Sequence, residues 1–145
     1  SDGKTVYDNP ATPFVASFVG ENNPFAGTVV SASKGEAVVE TAHGKLRGAN
    51  PKGLKAGDSC ILFVRPELFK LEKGAADTTF KLPVKSVAFE GNMTHVFFEG
   101  AAKKDVTVTV SRHSGAKIPG QGDTATVSYD AARALVLPQG KMARE

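Results

Sequence analysis

The sequence predicts a mainly β protein, two linked small barrel-like modules with one short N-terminal helix. Three observations point there. After Asn22-Asn23-Pro24, short alternating or apolar runs recur about every eight to twelve residues, divided by turn residues. Two stretches echo each other: Thr28-Val29-Val30, a turn and Ala37-Val38-Val39 resemble Val84-Lys85-Ser86-Val87, a turn and Val96-Phe97-Phe98. Each half also ends in a Gly-Asp step into an apolar strand, Gly57-Asp58 and Gly122-Asp123. Only residues 12–20 place apolar side chains at helical spacing.

In that first element Thr12 suits the N-cap, Pro13 fills the first helical position where its missing N–H costs nothing, and Gly20 suits a left-handed terminal residue. Phe14, Val15, Phe18 and Val19 share one stripe. A helix of about two turns is not stable alone in water. Phe14 and Phe18 are therefore expected to dock on another surface. Strands are then expected at residues 26–32, 36–41, 45–48, 59–65, 81–89, 95–99, 106–111, 124–129 and 134–137. Turn signals stand between them at Lys34-Gly35, His43-Gly44, Ala56-Gly57-Asp58, Glu90-Gly91-Asn92 and Gly120-Gln121-Gly122-Asp123. The polar stretch Glu72-Lys73-Gly74-Ala75-Ala76-Asp77 reads as the joint. The expected division is a linker and helix over 1–24, then a β region over 25–145 with sub-barrels near 25–72 and 78–138.

Composition narrows the function classes. The chain has 145 residues, 41% hydrophobic and 23% charged, with 18 Lys and Arg against 15 Asp and Glu. No apolar stretch approaches the roughly 20 residues that cross a bilayer, and Asp2, Lys4 and Pro10 do not fit a signal peptide. The expectation is a soluble domain. The net charge of +3 is scattered, a weak pointer to nucleic acid or an anionic surface. A lone cysteine, Cys60, cannot form an internal disulfide, and its apolar neighbours Ile61, Leu62, Phe63 and Val64 mark it as a core thiol.

No catalytic constellation emerges. Asp2-Gly3-Lys4-Thr5 ends like a phosphate-binding loop but lacks the earlier glycine and the preceding strand, and Pro10 interrupts the continuation. His43, His95 and His113 lie on separate segments without metal-ligand spacing. Ser111, His113 and Ser114 lack a nucleophile-elbow pattern and a nearby acid. Asn92-Met93-Thr94 fits the glycosylation pattern inside a hairpin turn and reads as a chance match. Phe89, Phe97 and Phe98, with Lys85, Lys103 and Lys104 near in sequence, suggest either a stacking platform for single-stranded nucleic acid or barrel packing. Core packing is the expected role, since Phe89 alternates with Val87 and Lys85. An oxyanion pocket of backbone N–H groups with Ser, Thr or Lys is a further candidate.

Tyr7-Asp8-Asn9-Pro10-Ala11-Thr12-Pro13-Phe14-Val15-Ala16-Ser17-Phe18-Val19-Gly20-Glu21-Asn22-Asn23 resembles the segment that follows the nucleotide-binding domain in ATP-binding subunits of bacterial ABC importers. Phe25-Ala26-Gly27-Thr28-Val29 resembles the opening strand of their C-terminal transport-associated OB (TOBE) region, Val64-Arg65-Pro66-Glu67 its most recognisable tetrapeptide, and Val87-Ala88-Phe89-Glu90-Gly91 a later strand, with Glu90 where an apolar residue is commoner. The wording is most similar to importers of polyamines, ferric iron or aminoethylphosphonate, the polyamine type foremost. The resemblance implies two OB-like (TOBE/MOP-like) barrels acting as a non-catalytic regulatory and dimerisation domain. It further implies a cytoplasmic location, peripheral to the inner face of the bacterial cell membrane. The implied partners are a second copy of the subunit, its own nucleotide-binding domain and, indirectly, the permease subunits, with no nucleic acid. ATP and Mg would bind the nucleotide-binding domain, and no cofactor is expected within these residues. Arg65 and Glu67 flank Pro66 where a buried strand ends. Arg65, Pro66 and Glu67 are therefore candidates for bracing the fold or for a regulatory contact, with Phe14 and Phe18 as interface candidates. The alternatives are a small oxyanion-binding module of the molybdate-binding barrel type and an OB-type single-strand binder.

Overall fold

A computed structural model describes residues 22–71 and 76–139. The expected helix over 12–20, and with it Phe14 and Phe18, lies outside the described residues. The described elements are nine strands: β1 (Asn23–Ser33), β2 (Glu36–Thr41), β3 (Gly44–Ala49), β4 (Ser59–Val64), β5 (Thr78–Glu90), β6 (Met93–Phe98), β7 (Val106–Ser111), β8 (Thr124–Tyr129) and β9 (Leu135–Pro138). Single 3-10 turns occur at Pro66–Leu68 and Ala131–Arg133, and a tight turn at Ala101–Lys103 places Ala102 and Lys103 at positive φ.

The strands form a closed barrel in the order β1-β2-β3-β9-β4 and a four-stranded sheet in the order β7-β6-β5-β8. In the barrel only β3 and β9 run parallel, and the other pairs are antiparallel. That five-strand arrangement is OB-like. Its interior holds Val39, Leu46, Leu62 and Val136, all fully buried. Gly48 is required here, because a Cβ would stand 2.5 Å from Leu62 Cδ1 and 3.0 Å from Val136 Cγ2. On the opposite face of β4 and β9, Ile61, Phe63 and Leu137 form a second buried cluster with Leu135 against it. Apolar side chains on both faces explain why β4 reads as an unbroken apolar run rather than an alternating one. Cys60 lies in that strand with no exposed surface.

The sheet of the second unit repeats the first four strands of the barrel. Both first strands carry a bulge, between Val29 and Ser31 in β1 and between Val84 and Ser86 in β5. Both bulges are tied to the Gly-Asp turns that the sequence repeats. Gly57 N–H donates to Val29 O at 2.8 Å and Val29 N–H to Asp58 O at 2.9 Å; Gly122 N–H donates to Val84 O at 3.1 Å and Val84 N–H to Asp123 O at 2.7 Å. Each Asp carboxylate then accepts a backbone N–H within its own turn, Asp58 from Lys55 at 2.8 Å and Asp123 from Gly120 at 2.9 Å. Gly57 and Gly122 take φ of +96° and +89°, the left-handed region where a Cβ is penalised.

Each repeat's fourth strand also leads into a 3-10 turn, Pro66–Leu68 after β4 and Ala131–Arg133 after β8. The closing segments are then exchanged. Lys70, which follows β4, pairs with Ser128 of β8 through two backbone hydrogen bonds of 2.7 and 2.9 Å, whereas β9, which follows β8, pairs with β4. The chain accordingly divides into one unit ending at Val64 and resuming at Ala131, and another spanning Arg65–Asp130. This corrects the expected sub-barrels near 25–72 and 78–138, because residues 134–137 close the first barrel.

Candidate functional site

The Val64-Arg65-Pro66-Glu67 tetrapeptide leaves β4 with Arg65 extended at φ −70° and ψ 147°. Proline suits this position. A residue before proline is biased to extended backbone, and proline's fixed φ opens a short turn without needing an N–H. The turn closes with Leu68 N–H donating to Arg65 O at 3.0 Å. Pro66 is buried, Arg65 partly exposed and Glu67 exposed. The Arg65 and Glu67 side chains approach only to 3.9 Å, at 32% and 55% exposure. An ion pair that long and wet contributes at most a few tenths of a kcal/mol.

What holds the segment is Phe69, a residue that sequence reasoning passed over. Its ring is 2% exposed and packs edge-on against Phe80 at 6.0 Å and Tyr129 at 5.7 Å. Its only sequence signal is an apolar residue three positions beyond a proline that ends a strand.

Beside this segment, within the second unit, lies a cavity of about 300 Å³. One wall is Glu67, Phe69, Lys70 and Leu71; the other comes from Met93, β7 at Thr109, Val110 and Ser111, and the following loop at Ser114 and Ala116. Two of its hydroxyls already accept backbone hydrogen bonds at 3.2 Å, Ser111 from His113 N–H and Ser114 from Ala116 N–H. Thr109 Oγ1 lies 2.9 Å from His95 Nδ1. Ser111, His113 and Ser114 thus shape turns.

The other candidates separate in space or chemistry. Phe98 is fully buried, but Phe89 is 64% exposed, which corrects the expectation that it packs in the core. Phe89 does face inward in register, opposite buried Thr94 and beside the Val87–Val96 pair. The strand simply runs past the core, and the Arg112 guanidinium stacks 5.6 Å from the ring centroid. Phe97 alternates to the other face, near His95 at 6.5 Å, so the three rings make no common stacking platform. Lys85 is engaged by Asp105 at 3.2 Å.

His43 packs edge-on against Phe25 at 5.7 Å, and burial lowers its pKa. Burial, then the Asp58 carboxylate, pushes the Cys60 thiol up to about 11, so it is protonated and unreactive near neutrality. Among the described residues no group of three or more His, Cys, Asp or Glu is placed to hold a metal ion. No helix of the described residues is long and apolar enough to cross a membrane.

The barrel order, the parallel β3–β9 closure and the short turn carrying Arg65-Pro66-Glu67 define an OB-like β domain. Residues 62–137, from within β4 to within β9, match the TOBE domain model, and the chain belongs to that family. The chain is similar to the spermidine/putrescine import ATP-binding protein PotA of Rubrobacter xylanophilus, 29% identical over 140 residues, covering 94% of this chain and 37% of the relative. The PotA protein of Thermobifida fusca is 28% identical over 92% of this chain and 36% of its own length. The chain thus spans little more than a third of these curated relatives. Among solved structures, the cytoplasmic molybdate-binding protein ModG with molybdate bound superposes with a TM-score of 0.64 at 18% identity, over 80% of this chain and 96% of that one. That likeness shows the shared fold.

Proposed function

We propose that the chain is the non-catalytic regulatory domain of an ATP-binding subunit in a bacterial ABC importer of polyamines such as spermidine and putrescine. The observation that carries this reading is the alignment of 94% of the chain with an import ATP-binding protein of that specificity. The TOBE match over 62–137 supports it, as does the resemblance of residues 7–23 to the segment that follows a nucleotide-binding domain. In this reading ATP and Mg bind the nucleotide-binding domain, and the β domain works at the cytoplasmic face of the membrane. It associates with a second copy of the subunit and, through its own nucleotide-binding domain, with the permease. Arg65, Pro66 and Glu67 shape its regulatory surface, with Phe14 and Phe18 at an interface.

The test is to express the ATP-binding subunit with and without this region alongside its permease, and to measure subunit dimerisation and polyamine uptake. The reading expects deletion to weaken dimerisation or to release uptake from control. Unchanged uptake, control and dimerisation would overturn it. The fold shared with a molybdate-binding protein favours a second reading, an oxyanion-binding module. Calorimetric titration of the chain with molybdate, tungstate, sulfate and phosphonate separates the two, and flat traces across that set remove the second.

A further inference from the structure

The two repeats differ where their fifth strands close. In the first unit β9 joins both neighbours, pairing with β4 along four residues and with β3 where Leu135 meets Ala49, where Ala49 N–H donates to Ala134 O at 2.9 Å. The corresponding residue of the second unit is Lys70: it stands six residues beyond Tyr129's counterpart Val64, as Leu135 stands six beyond Tyr129. Lys70 pairs with β8 as Leu135 pairs with β4. On its other side the counterpart of Ala49 is Ser111, the last residue of β7, and no ladder pairing joins Lys70 to it. The seam that repeat symmetry closes in one unit is instead the cavity lined by Lys70 and Ser111.

We propose that this seam is a binding site for a small aliphatic amino acid. The cavity, about 300 Å³, suits a ligand of that size. Its apolar surface comes mainly from Leu71, Met93, Val110 and Ala116, beside the buried Phe69. The polar groups sort by direction. Ser111 and Ser114 already accept backbone N–H bonds through their oxygens, so their O–H protons are left to donate. These groups suit a carboxylate. Glu67 is the one carboxylate among the described lining residues, and its long contact with Arg65 leaves it acceptor sites for an ammonium group. A polyamine suits the seam poorly, since it brings several cations to a single carboxylate. The site therefore stands independently of the importer reading.

The experiment is calorimetric and NMR titration of the 145-residue chain with leucine, with isocaproate and isoamylamine as analogues lacking one charged group, and with putrescine. Leucine is expected to bind at least about tenfold more tightly than either analogue and than putrescine. Amide and methyl shifts should centre on Met93, Val110, Ser111 and Ala116. Glu67→Gln should weaken leucine binding about tenfold while leaving the isocaproate affinity undiminished and moving the urea midpoint by no more than about 0.2 M. Ser111→Ala combined with Ser114→Ala should weaken isocaproate and leucine alike. The absence of leucine binding, equal or tighter binding of putrescine, or shifts centred outside this seam would each overturn the proposal. None of these outcomes bears on dimerisation or uptake by the parent subunit, so the two readings fail separately.

Discussion

Replacing Phe69 by alanine should cost far more stability than breaking the Arg65–Glu67 pair two residues away. The Phe69 ring is 2% exposed and wedged edge-on between Phe80 and Tyr129. Truncating a buried phenylalanine costs about 3 to 5 kcal/mol through lost transfer energy and the cavity left behind. Breaking the ion pair with Glu67→Gln costs a few tenths at most, because the charges stand 3.9 Å apart in solvent. Urea unfolding followed by far-ultraviolet circular dichroism separates these values. With a slope of about 2 kcal/mol per molar urea, Phe69→Ala should lower the midpoint by about 1.5 to 2.5 M and Glu67→Gln by about 0.2 M or less. The sequence suggested instead that Arg65 and Glu67 brace the loop. Comparable midpoint shifts for the two variants would restore that idea and refute the assignment of the anchor to Phe69.

The β6–β7 hairpin turns through Ala102 and Lys103 at φ +57° and +60°, with Lys104 N–H donating to Ala101 O at 3.1 Å, a type I′ geometry that favours Asn-Gly. Ala102→Asn with Lys103→Gly should raise stability by about 1 kcal/mol, or about 3 to 5 °C in melting temperature; an unchanged or lower melting temperature would refute the strain. Gly100→Ala should do the reverse and destabilise the same hairpin, because its Cβ would overlap the Lys104 carbonyl; an unaltered melting temperature would show that the turn can yield. His43, with its folded pKa below the ordinary 6.5, binds its proton more readily in the unfolded chain. Stability should therefore fall as pH drops below about 6.5, and His43→Phe should flatten that slope. Cys60 should resist thiol reagents at pH 7.5 in the native state and react once urea unfolds the chain; fast native labelling would contradict its burial.

Strand positions were legible because alternation, apolar runs and turn residues are local. β2, β7 and β8 lie where their patterns place them, and the Gly-Asp repeat foretold two matching turns. The glycines of those turns were readable for the same reason, since a left-handed φ is a property of one residue. Phe89 was less readable. Its pairing partner and face agree with an inward role, yet burial depends on what lies over the strand end, and β5 outruns its core. Of the candidate site, Arg65-Pro66-Glu67 was visible as a motif at the end of an apolar run. Phe69 and the hydroxyls of Thr109, Ser111 and Ser114 were not, because only folding brings residues 67–71 beside residues 109–116.

By itself the sequence determined the β class, the internal repeat, the inert cysteine and the family resemblance. Each of these rests on residue type and near-neighbour spacing. Only the tertiary structure decided which strand closes the barrel. Backbone N–H and C=O groups are the same at every residue, so the pattern of β9 could not say whether it would pair with nearby β8 or with distant β4. Complementary burial of Leu135 and Leu137 against Phe63 and Ile61 settles that choice in favour of β4. The same exchange leaves Lys70 on β8 and the seam toward β7 unpaired in the ladder, which is where the cavity forms.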